Sequence, residues 1–137
     1  MRYTLFEHQR DLIILIARVL LVILFIITGW AKLTHFSDTV AYMTAESAPL
    51  PMIAAAIAVL MEFFAGIALL VGFFTRPVAF LLALFTLGTA LIGHHYWTMV
   101  EPDRAMNMIN FYKNLSIMGG LLLLSVTGPG KYSIDRR

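Results

Sequence analysis

Four apolar runs separated by short polar breaks make up most of the chain, and each is close to the roughly 20 residues a helix needs to cross a bilayer. The first, Leu12 to Ala31, lies between Asp11 and Lys32 and carries a single charge, Arg18. The second, Pro51 to Phe74, also carries one, Glu62, and gives way to Arg76 and Pro77. A third run begins at Pro77, where proline suits a first helical turn, and continues to Trp97. The fourth extends from Met108 to Thr127 and stops at Gly128-Pro129-Gly130, a triplet that cannot continue a helix. This pattern predicts an all-α polytopic membrane protein. It is a four-transmembrane-helix bundle, one domain over residues 1–137, with spans at 12–31, 51–74, 77–97 and 108–127.

Run one is too long for the apolar core of a signal peptide, and no small-residue cleavage site follows it, so it is expected to stay in the mature protein. The segment between Lys32 and Leu50 has room for a short helix over Ser37 to Glu46, ended by Pro49, as a lid or a spacer. Between runs two and three only Thr75 and Arg76 are plainly polar, which predicts a tight helical hairpin.

Composition narrows the chemistry. With 60% hydrophobic and 13% charged residues and a mean hydropathy of +0.83, a water-soluble domain is excluded. The absence of cysteine excludes thiol redox catalysis, disulfides and cysteine-ligated metal centres. Net charge is +2, but no Lys/Arg run exists, so nucleic acid is not an expected partner; the lipid bilayer is. Arg2, Arg10, Arg76, Lys131, Arg136 and Arg137 fall on one side of the spans, against Lys32, Arg104 and Lys113 on the other. That asymmetry predicts cytoplasmic termini, with Trp30, Tyr96 and Trp97 as outer interfacial anchors.

Charges within hydrocarbon need a buried partner or a task. Glu62 sits midway along run two, with Ala54, Ala58 and Gly66 on its stripe, so the carboxylate is expected to face the bundle. Arg18 is the obvious countercharge. However, Arg18 stands about 12 Å above Arg10 and Glu62 about 21 Å above Arg76, a gap near 9 Å that side-chain lean widens. In run four, Asn107, Asn110 and Asn114 share one face, with Lys113 beside them. An outward polar pocket floored by Glu62 and walled by His94, Asn110, Lys113 and Asn114 is therefore expected, with Glu62 nearer these groups than Arg18. Helix-tying amides and a snorkelling Arg18 are the structural alternatives. Adjacent His94 and His95 point about 100° apart on a helix and do not face one ion, so no metal site is expected.

Taken in order, Ile16-Ala17-Arg18, Gly29-Trp30-Ala31-Lys32-Leu33, Met61-Glu62-Phe63 and Gly72-Phe73-Phe74-Thr75-Arg76-Pro77 make a pattern, continued by Gly93-His94-His95-Tyr96-Trp97, Asn110-Phe111-Tyr112-Lys113-Asn114, Gly128-Pro129-Gly130 and Ser133-Ile134-Asp135-Arg136. It resembles the DoxX family of bacterial four-helix membrane proteins, over nearly the whole chain. The resemblance implies an accessory or quinone-interacting subunit of a membrane redox system. It brings no intrinsic cofactor, so redox activity would come from a bound quinone or from a redox partner. The alternatives are a non-enzymatic assembly or stabilising protein, a homo-oligomer among them, and a small-solute carrier.

Overall fold

A computed structural model describes residues 5–136; Arg2 and Arg137, which entered the charge count, lie outside the described residues. Four helices long and apolar enough to cross a membrane are present, and no strand occurs among the described residues. Helix α1 is Arg10–Thr34, followed after His35 by a short α2, Phe36–Ala45. Helix α3 covers Pro51–Val71 and contains one wider π turn at Leu60–Phe64. Helices α4, Thr75–Gly93, and α5, Asp103–Thr127, complete the chain.

The boundaries depart from the apolar runs for identifiable reasons. Helix α1 gains a turn at its end because Thr34 and His35 still find helical carbonyls, His35 N donating to Ala31 O. Helix α3 stops three residues early, where Gly72 adopts a left-handed conformation with φ 70°. A Cβ there would strike Ser133 and the Arg18 guanidinium, so the turn requires glycine. Helix α4 ends at Gly93 rather than Trp97: His94 and His95 leave the helix, and Tyr96–Thr98 form a separate 3-10 turn. Helix α5 starts five residues before the apolar run, at Asp103, with Arg104 N donating to Val100 O at 3.0 Å in its first turn.

Two antiparallel pairs, α1 with α3 and α4 with α5, make the bundle. Its largest apolar cluster, Val22, Phe25, Leu69, Ala79, Leu82, Ala83, Leu121 and Leu124, lies in the half nearer the termini, and small buried residues, Ala55, Ala58 and Ala90, pack the helices beyond it. That end is stitched by the tail. Arg18, 2% exposed, donates Nη1 to Pro129 O at 2.8 Å and Nη2 to Tyr132 O at 2.6 Å. The Asp135 carboxylate accepts from Phe74 N at 3.0 Å and Thr75 N at 2.8 Å, capping α4. Ile134 N and Asp135 N donate to Val71 O and Gly72 O. In turn Arg76 reaches the last carbonyls of α5, at Ser125, Val126 and Thr127. Lys131 N donates to Asp11 at 3.2 Å, so both chain ends meet at this face.

Candidate functional site

Glu62 occupies the centre of the π turn and is 7% exposed. A π turn presents its side chains slightly out of the regular helical phase and often marks a functional position. Here it sets the carboxylate against α1, where Gly29 lets the two backbones meet: a Cβ on Gly29 would fall on the Phe63 amide nitrogen. The Glu62 carboxylate accepts from Thr28 Oγ1 at 2.7 Å and from Lys32 Nζ at 2.8 Å. The expected partners were different. Arg18 is bound to the tail carbonyls, and Glu62 has its bonds to α1 rather than to α5. Lys32, which along the sequence counts with the outer charges, turns inward, with 27% of its side chain exposed against 9% for Glu62.

Beside this ion pair lies a cavity of about 600 Å³. Glu62, His94, Lys113 and Asn114 all line it, together with Thr28 and Lys32; Asn110 and Arg18 do not. Its apolar end is made by Leu24, Phe25, Phe85 and Ile117. The space exists because the core stops at Phe25 and Leu121, and beyond that level α1 leans on α3 while α4 pairs with α5.

The amides on α5 each have a task. The Asn107 side-chain oxygen lies 2.9 Å from His94 Nδ1, and Asn114 Nδ2 donates to Thr89 Oγ1 at 3.1 Å; both contacts cross to the α4 side. Asn110 instead accepts from Lys113 Nζ at 3.1 Å, one turn along the same helix. Two of the three therefore tie helices, and the third holds a lysine at the cavity edge.

Helix α2 roofs the cavity, contributing Asp38, Thr39, Tyr42 and Met43. Thr39 Oγ1 ties it back to α1 by donating to Lys32 O, at 3.4 Å, and at its other end Glu46 meets His95 Nε2, at 3.0 Å. Burial, then the nearby Glu46 charge, pushes the Tyr42 phenol above its ordinary value, so it stays a protonated donor, its hydroxyl 3.5 Å from Gly93 O. Sequence reasoning offered the α2 segment as a lid or a spacer but did not name Thr28, Lys32 or the individual roof residues as site members. Thr28 and Lys32 are four apart on one face of α1, which was a usable signal; the roof contacts depend on how α2 folds back and leave no mark in periodicity.

The family model for DoxX matches residues 13–95. The chain is 53% identical to the inner membrane protein YphA of Escherichia coli, over all of this chain and 98% of the relative. It is 45% identical to a second Escherichia coli inner membrane protein, YqjF, over 95% of both chains. A shorter likeness, 34% over 49% of this chain and 22% of the relative, links it to the ER-derived vesicles protein ERV29 of Saccharomyces cerevisiae. No solved structure matches it. The chain belongs to the DoxX family.

Proposed function

We propose that this DoxX-family protein is an inner-membrane accessory subunit of a redox system and that its cavity holds a quinone headgroup. One observation carries the reading: a 600 Å³ cavity with an apolar end and a hydrogen-bonding ion pair, Lys32 and Glu62, facing the open space. Ligand sites take this form, mostly apolar walls with a few placed polar groups. Lys32 has further N–H donors beyond its bond to Glu62, and Lys113 and Asn114 stand on the α5 side, so carbonyl oxygens on two sides of a ring could be held. The quinone would supply the electron chemistry that a cysteine-free chain lacks. Glu62, with Thr28 and Lys32 on one carboxylate oxygen, is the group placed to hold a proton near that ring.

A solute carrier needs a path across the membrane, and here the apolar core fills the half nearer the termini. The test is protein purified in nanodiscs with native lipids. Mass spectrometry should find quinone enriched at least fivefold over the surrounding lipid, and Lys32→Met should abolish the enrichment. Quinone at the bulk-lipid ratio in the unaltered protein overturns the reading.

A further inference from the structure

The rim of the cavity says where its ligand comes from. Leu24 and Ala31 on α1 and Lys113 on α5 line the cavity yet are themselves exposed. Residues that do both stand at an opening. Helices α1 and α5 touch lower down, where a Cβ on Gly120 would meet Leu21 Cδ1 at 3.1 Å. Above that contact the two helices face each other across the cavity, with Leu24, Thr28 and Ala31 on one side and Lys113, Asn114 and Ile117 on the other. These residues belong to the middle and outer parts of spanning helices, so the opening faces lipid. Its upper end is bounded by His35 and Asp38, which lie beyond the α1 span or at its edge.

We infer that the cavity is a lateral slot between α1 and α5, and that its ligand is a lipid-borne amphiphile: the head meets Lys32, Glu62 and Lys113 while the tail leaves past Leu24 and Ile117. This deepens the quinone reading and rests on it for the identity of the head, but the slot itself does not depend on that identity. The polarity of the lining runs the same way as that of a lipid in the leaflet at this end of the bundle. Charged and amide groups sit toward the α2 end; the deep end holds Leu24, Phe25, Phe85 and Ile117, at the level where acyl chains lie. A water-soluble ligand would gain nothing from that gradient. A single-tailed amphiphile satisfies both ends at once, because its tail never leaves hydrocarbon. Lys113 fits the role of gatepost. Among the described residues no acidic side chain pairs with it, and its ammonium, held by Asn110, keeps donors for a head entering from the side.

The chain has no cysteine, so single-cysteine variants report cleanly. A nitroxide on Ile117→Cys in phosphatidylcholine vesicles should be relaxed by oxygen at least threefold more than by an aqueous nickel chelate. Preferential relaxation by the chelate overturns the slot, whether or not any quinone binds. In the second arm, Leu24→Trp narrows the deep end. Binding of decylubiquinone should weaken at least tenfold relative to the unaltered protein, while the tail-less ubiquinone-0 should change less than twofold. Equal losses for both overturn the tail path. If neither compound binds the unaltered protein, the quinone reading falls and the nitroxide result alone decides the slot.

Discussion

At the scale of single residues, the pairing of Glu62 follows from the direction in which helical side chains lean. By rise alone, Arg18 lies about 9 Å below Glu62 and Lys32 about 12 Å above it, so neither is favoured. Side chains lean toward the N-terminus of their own helix. On α1 that moves Lys32 down toward Glu62 and Arg18 away toward the termini; on the antiparallel α3 it moves Glu62 up. Lys32 closes the gap at 2.8 Å, and Arg18 finds the Pro129 and Tyr132 carbonyls. The unlikelihood of an Arg18–Glu62 pair was legible in the sequence. Lys32 is legible only through its four-residue spacing from Thr28, because it adjoins the end of an apolar run and otherwise reads as a loop charge. Breaking the pair leaves one charge without its partner. Lys32→Met and Glu62→Gln should each cost about 2 kcal/mol, as for hydrogen bonds to charged groups. The double variant should cost clearly less than the sum, since no charge is then stranded. Denaturant titration in a mild detergent measures all three, and strict additivity would show that the pair is not coupled.

At the scale of elements, close approach of α1 and α3 depends on Gly29, and it is this approach that lets Glu62 in the π turn reach Thr28 and Lys32. The atoms a Cβ would meet are Phe63 and Glu62 backbone, which cannot swing aside. Gly29→Ala should therefore separate the helices and destabilise the protein by about 1–3 kcal/mol, the usual cost of overpacking. Gly119→Ala is the control: nothing lies within 4 Å of its Cβ, so it should be neutral or slightly stabilising through helix propensity. Melting temperatures of the two variants that fell equally would refute the contact. A second element-scale device is the Asp135 cap on α4. Asp135→Ala should cost about 1 kcal/mol and expose the tail to protease, because the Phe74 and Thr75 amides lose their acceptor. The four spans and the α2 segment were legible from apolar periodicity and proline positions. What was hidden was the tail: Gly128-Pro129-Gly130 reads as a stop signal, and nothing in a stop signal says that its Pro129 carbonyl, with that of Tyr132, will bind the buried Arg18.

At the scale of the whole molecule, the main apolar cluster packs the half nearer the termini and the cavity opens in the other, and the basic residues predict an orientation. Arg10, Arg76, Lys131 and Arg136 lie at the packed end with the tail. Lys32 and Lys113 are counted on the hollow side, but both are spent on the cavity, one bound to Glu62 and the other to Asn110. That leaves Arg104 as the basic residue at the hollow end that is free of the cavity lining. The asymmetry is thus stronger than a count along the sequence suggests, and it predicts that the packed end faces the cytoplasm. The cavity would then open in the periplasmic leaflet. Two measurements in intact cells check this orientation. Alkaline phosphatase fused after Arg137 should be inactive, since it folds only in the periplasm. A cysteine at Val100, 79% exposed in the loop between α4 and α5, should react with a membrane-impermeant maleimide added from outside. An active fusion with an unlabelled Val100→Cys would invert the molecule and place the mouth of the cavity in the cytoplasmic leaflet, where the same slot would draw its ligand from the other side of the bilayer.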